Sequence, residues 1–288
     1  MPSILPGNNT FVIPTGGVTP PTPTPPPFST KKACQTIICI NNAFNESNLA
    51  GTGYVSADPN YPLINAFSPY YVSRFSTTRS SDMTLQYTTS NEDFTHVAVL
   101  CANAKGCNLK MIVTAVTSSG TIVKSVDAVA DGKPMIVMLS DDFKAVKVNS
   151  VSVTFEFTAK PYIIALNAGL GWLTGTGFSV GGFGPIKRLA ENNRFIAQNG
   201  YNNLPGYVYE KGRQTKGTIR SIRYDAVFEQ NWQKLQDLSI NGIPFFFVWN
   251  LKRLDQCIYG TMPHAELADP VHTSNMLRDM NVTVEGWA

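Results

Sequence analysis

The stretch Thr95–Gly120, THVAVLCANAKGCNLKMIVTAVTSSG, decides the architecture. Thr95-His-Val-Ala-Val-Leu100 and Leu109-Lys-Met-Ile-Val-Thr114 alternate with the period of a strand, not of a helix. Lys105-Gly106 and Ser118-Ser-Gly120 are turn formers standing between and after them. The same grammar runs outward. Thr84-Leu-Gln-Tyr-Thr88 and Val151-Ser-Val-Thr-Phe-Glu-Phe157 alternate, and Ser90-Asn91, Asp131-Gly132 and Ser140-Asp-Asp142 mark turns. Short strands at this spacing, with no convincing helix between Thr36 and Phe157, predict an antiparallel β-sandwich.

A second region follows the Lys160-Pro161 break. It opens with a strand, Tyr162 to Asn167, and runs into a glycine-rich loop, Gly169 to Gly184. A strand from Gly217 to Tyr224 precedes the best helix signal in the chain. Asp225 can cap that helix, and Phe228, Trp232 and Leu235 fall at i, i+4 and i+7 on one apolar face. Asn241-Gly242 ends it, Pro244 forbids continuation, and Phe245-Phe-Phe-Val-Trp249 reads as a buried strand. Met280 to Gly286 is the last strand. The fold class expected is mainly β: a jelly-roll-like antiparallel sandwich over residues 31–160, then a β-rich α+β domain with one packed helix over 161–288.

Residues 1–30 form an extended arm. Pro20-Pro-Thr-Pro-Thr-Pro-Pro-Pro27 suits only polyproline II, spanning roughly 25 Å at ~3.1 Å per residue. Phe11-Val-Ile-Pro14 is apolar for a solvated tail, so the arm reads as an anchor on a stiff spacer. Of the 288 residues, 43% are hydrophobic and only 15% charged, which supplies a core and leaves a sparsely charged surface suited to partners. The net charge of +3 is too small and too dispersed for a nucleic-acid binder. The start of the chain lacks a signal peptide's basic and apolar segments, and no run of ~20 apolar residues suggests a membrane span. Five cysteines with no CxxC pair read as reduced structural thiols.

The segment Asn48-Leu49, Val55-Ser-Ala-Asp-Pro-Asn-Tyr-Pro62, Asn65-Ala-Phe67 and Arg74-Phe75-Ser-Thr resembles the entry to discoidin-like jelly-roll modules of tailed-bacteriophage structural proteins. It departs from that pattern at Ser68-Pro69 and Phe75, where the pattern has Asp-Gly and tryptophan. Independently of any family, Pro59 and Pro62 hold the crossing extended, while Tyr61, Phe67 and Phe75 are placed to plug the open end of two sheets. Gly217–Tyr224, the Trp232 helix, Asn241–Trp249 and Met280–Gly286 together resemble domains of phage tail and baseplate proteins.

No chemistry stands out. Gly175–Gly182 lacks the Lys-Ser/Thr of a phosphate cradle and is followed by Pro185. Cys257, His264 and His272, with Asp255, Glu266 or Asp269, fit no zinc spacing. His96 lies inside a strand, facing solvent or satisfied in a core, and Glu92-Asp93 and Asp141-Asp142 lie in turns. The expectation is no enzyme, no cofactor and no metal.

The resemblance implies a structural protein of a tailed-phage virion, in the tail, baseplate or neck, made in the host cytoplasm. Its partners would be copies of itself in a symmetric ring and other tail or neck proteins, without nucleic acid or membrane. The candidate interface is Phe11, Val12, Ile13, Pro20, Pro21, Pro23, Pro25, Pro26 and Pro27 of the arm, with Trp172, Phe178 and Phe183 of the glycine-rich loop. The alternative is a glycan-binding module for host-surface recognition, with Tyr70, Tyr71 and Arg74 as its candidate face.

Overall fold

The computed structural model describes residues 35–68, 72–174, 180–181, 186–193, 207–263, 269–274 and 276–287. Strands are numbered in chain order. One sheet has the order β2 (Leu49–Ala50), β3 (Asp82–Phe94), β8 (Val146–Glu156), β5 (Lys110–Thr117), β6 (Gly120–Asp127). A second is β7 (Met135–Met138), β4 (His96–Cys101), β9 (Ile163–Gly169). All neighbours in both are antiparallel. The alternation expected from the sequence is present in the first sheet. Met83, Leu85, Met111, Val113, Ala115, Val151, Val153 and Phe155 are buried, facing Val97, Val99, Met135 and Val137 of the second sheet in one core.

The third and largest sheet runs β10 (Trp172–Thr174), β1 (Thr36–Cys39), β14 (Phe245–Val248), β15 (Cys257–Thr261), β17 (Leu277–Trp287), β13 (Tyr207–Arg223), β11 (Val180–Gly181). Off this path, β12 (Lys187–Asn193) pairs with β13 and β16 (Val271–Ser274) with β17. This sheet covers the outer face of the three-stranded one. Ala98, Leu100, Ile136, Met138, Ile164 and Ala165 pack there against Ile37, Cys39, Phe246, Val248, Cys257 and Tyr259. All six residues of β4 are therefore buried, because it is covered on both faces.

The sheets do not divide at residue 160. β9 lies beyond the Lys160-Pro161 turn yet pairs with β4, and β1 lies before it yet pairs with β14 and β10. The break is a turn that carries the chain from one sheet of the sandwich to the other.

The far face of the large sheet carries α2 (Ala226–Ile240), which follows the four-residue α1 (Thr52–Val55) in chain order. Asp225 caps α2, its Oδ1 accepting from the Phe228 amide at 2.9 Å. At the other end Gly242 takes φ +62°, a left-handed conformation that glycine adopts without strain. Phe228 and Leu235 are buried on Ile219, Ile222, Phe245, Phe247, Met280, Val282 and Val284. Trp232 was expected in this buried face, but it is only half-buried at the margin, stacked on Phe228 with ring centroids 6.5 Å apart. Among the described residues, no helix is long and apolar enough to cross a membrane.

β15 and β17 approach each other unusually closely where Gly260 pairs with Gly286. A Cβ at Gly286 would overlap the Tyr259 carbonyl oxygen and the Gly260 Cα, and both contacts are backbone. Gly286→Ala must therefore push two central strands apart. The expected cost is roughly 1–3 kcal/mol in urea denaturation; an unchanged midpoint would mean that the strands are not in this register.

Candidate functional site: the aromatic and charged end of the sandwich

The described parts of the stretch from Asp58 to Thr78, residues 58–68 and 72–78, lie at the end of the sandwich. Pro62 is extended, at φ −66° and ψ 158°, and leads into a single 3-10 turn, Leu63–Phe67. Bridges from Ala57 to Thr77 and from Phe75 to Ile163 tie the crossing to itself and to β9. Phe75 is fully buried and closes the core. Tyr61 and Phe67, placed beside it as plugs by the sequence, stay half-buried. That difference leaves aromatic surface at the rim.

Arg74 is exposed immediately before the plug. Its guanidinium carbon stands 5.8 Å from the centre of the Tyr162 ring, and Tyr162 meets Tyr61 nearly edge-on, with centroids 5.3 Å apart at 68°. The Arg74 carbonyl accepts from Asn65 Nδ2 at 2.8 Å, which fixes the backbone under the guanidinium. Beside them Lys160 Nζ lies 3.3 Å from Asp58 Oδ2, and the Asn60 amide donates to Asp58 Oδ1 at 3.0 Å. The Asn60 amide and the Lys160 ammonium hold the Asp58 carboxyl below its usual range. Two half-buried rings, a guanidinium, an ammonium and a carboxylate thus share one rim.

Of the residues placed on a glycan face by the sequence, Arg74 is in this cluster, while Tyr70 and Tyr71 lie outside the described residues. Tyr162 and Lys160 were missed. They reach the rim from the irregular segment just before β9, roughly a hundred residues on, so their signal would have been the β-pairing of Phe75 with Ile163.

Other candidates are dispersed. Trp172, expected at an interface, is a core residue: β10 pairs with β1, and the indole packs edge-on against Phe228 at 5.5 Å. Phe178, Phe183, and the arm residues Phe11, Val12, Ile13, Pro20, Pro21, Pro23, Pro25, Pro26 and Pro27 lie outside the described residues. Cys257 is buried among apolar side chains, and that burial raises its thiol pKa. Asp255 instead sits at the surface, 3.1 Å from Arg253. Among the described residues, no group of three or more His, Cys, Asp or Glu side chains could hold a metal. Glu92 accepts from the Tyr87 hydroxyl at 2.7 Å, and Asp93 and Asp141 pair with Lys147 and Lys124. The strand histidine, His96, is fully buried in β4. Its Nδ1 lies 2.9 Å from Thr95 Oγ1 and its Nε2 lies 2.8 Å from Asn167 Oδ1.

No family model matches the chain. No curated protein sequence matches it. Solved structures do. A fucose-binding module, SpX-3, of Streptococcus pneumoniae is similar at 12% identity over 45% of this chain and 98% of that one, with a TM-score of 0.35. The family 32 carbohydrate-binding module of C. perfringens NanJ, in complex with galactose, is similar at 12% identity over 45% of this chain and 98% of that one, with a TM-score of 0.31. A Ruminococcus gnavus GH29 fucosidase in complex with fucose is similar at 9% identity and a TM-score of 0.34, over 45% of this chain and only 27% of that one. These neighbours are carbohydrate-binding modules and a fucosidase, not phage tail or baseplate proteins. The expectation of a virion structural component is withdrawn, because these similar structures include no phage protein.

Proposed function

We propose that this chain binds glycans at the loop-rich end of its β-sandwich and acts by binding, not by catalysis. The observation that carries the reading is the Arg74–Tyr162–Tyr61 cluster on that rim. Sugars present an apolar CH face and a circumference of hydroxyls. Recognition therefore needs an aromatic surface together with donors and acceptors fixed around it. Tyr61 and Tyr162 supply the surface. Arg74 and Lys160 donate, and Asp58, kept ionised by its neighbours, accepts. Charge-assisted hydrogen bonds of this kind give each contact direction as well as strength.

Tyr162→Ala removes the ring on which both Arg74 and Tyr61 rest. Titration with methyl glycosides, followed by saturation-transfer NMR, is expected to show affinity at least about tenfold weaker, with circular dichroism unchanged. Equal affinity in wild type and variant would remove this rim from the reading.

A further inference from the structure

A second cleft, of about 420 Å³, lies on the opposite side of the molecule's largest sheet, between α2 and the β16–β17 hairpin. Its volume is within the roughly 300–1,000 Å³ range of small-molecule sites. Glu229, Trp232, Gln233 and Gln236 line it from α2 at i, i+3, i+4 and i+7, so they form one stripe along the helix. Asp269, Arg278 and Tyr224 close the other wall.

Tyr224 and Arg278 are ordered against each other. The guanidinium carbon stands 4.2 Å from the Tyr224 ring centre, Arg278 Nη1 donates to the Leu277 carbonyl at 3.0 Å, and the Tyr224 hydroxyl donates to Glu229 Oε1. The indole of Trp232 is held from behind by the stacked Phe228 ring, at 14° between planes. In contrast, Trp232 Nε1 and the side chains of Gln233, Gln236 and Asp269 make no hydrogen bond among the described residues. A half-exposed indole with its N–H unspent, two amides that both donate and accept, and a free carboxylate converge on one volume.

We propose that this cleft is a second saccharide site, for a neutral sugar whose apolar face lies on Trp232 and whose hydroxyls bind Gln233, Gln236 and Asp269. The charge decides the class. Two carboxylates, Glu229 and Asp269, face one guanidinium, which disfavours phosphate, sulfate and uronate ligands. Amides suit hydroxyl groups, which need a donor and an acceptor at each position. The choice of a sugar rests on the glycan-binding reading above, but the residues are wholly distinct from those of the sandwich rim.

The test follows the Trp232 indole N–H resonance of the intact protein, identified with Trp232→Phe, during titration with methyl α-L-fucoside, β-D-galactoside, β-D-glucoside and α-D-mannoside. At least one glycoside should shift that resonance saturably, equally in wild type and Arg74→Ala. The double variant Gln233→Ala/Gln236→Ala, on an exposed helix surface where alanine keeps the helix, should weaken that response about tenfold or more and leave the response of residues near Arg74 intact. If resonances near Arg74 respond and the Trp232 indole does not, the second site is overturned and the glycan reading stands. A Trp232 response unchanged in the double variant also overturns it. Should nothing respond to any of the four glycosides, both fall.

Discussion

Leu100→Ala is expected to cost about 2–5 kcal/mol, a core-sized loss on the face of β4 that points away from the sandwich interior. In a plain two-sheet sandwich that face meets water, and truncation there changes stability by only about 0.5 kcal/mol. Here Leu100 is fully buried, packed with Ile136, Ile164, Phe246 and Tyr259 between the three-stranded and the largest sheet. Removing its branched end leaves a hole that two sheets, each held on both sides, cannot collapse to fill. Leu100→Asp should yield no folded protein, since it would bury a charge without a partner. Urea denaturation of Leu100→Ala decides the matter. A loss below about 1 kcal/mol would expose that face and separate the layers.

Stability should also depend on pH through His96. Burial in β4 pushes its pKa down from 6.5 to about 4, against hydrogen bonds to Asn167 and Gly169 that push it up. Above pH 6.5 the imidazole is neutral in folded and unfolded chains alike, and its contribution is complete. As pH falls from 6.5 towards 4, the unfolded chain binds a proton that the folded one refuses, so stability declines; below about 4 the loss levels off. A shift of this size corresponds to about 3 kcal/mol between the two ends of the window. Urea midpoints measured at pH 7, 5.5 and 4.5 should fall in wild type. His96→Gln, which can still hydrogen-bond but cannot titrate, should lose that part of the slope. Parallel slopes would mean that the ring is solvated.

The five-stranded sheet was legible in the sequence because one of its faces meets water, and Met83-Thr-Leu85 or Val151-Ser-Val153 therefore alternate visibly. The role of β4 was not. His-Val-Ala-Val-Leu-Cys reads as alternating if only one face is assumed buried, and its second cover comes from β1, β14 and β15, elements far away in sequence. For the same reason a boundary at residue 160 was inferred from a local Lys-Pro turn, although the strands on either side pair across it. The helix was legible through Asp225, Phe228 and Leu235. Its spacing also counted Trp232 as core, when the neighbouring Glu229, Gln233 and Gln236 already defined a polar stripe that includes it. At the sandwich end, Arg74 and the aromatic crossing could be read locally. Tyr162 and Lys160 could not, because only the pairing of Phe75 with Ile163 brings them there.

The claim that this chain is a glycan-binding protein is tested most directly by a glycan array probed with the intact protein and with Arg74→Ala side by side. The account predicts saturable binding of wild type to a restricted set of glycans, with the affinity for at least one of them weakened about tenfold or more in the variant. Absence of binding across the array, or binding by Arg74→Ala indistinguishable from wild type for every glycan bound, would contradict it.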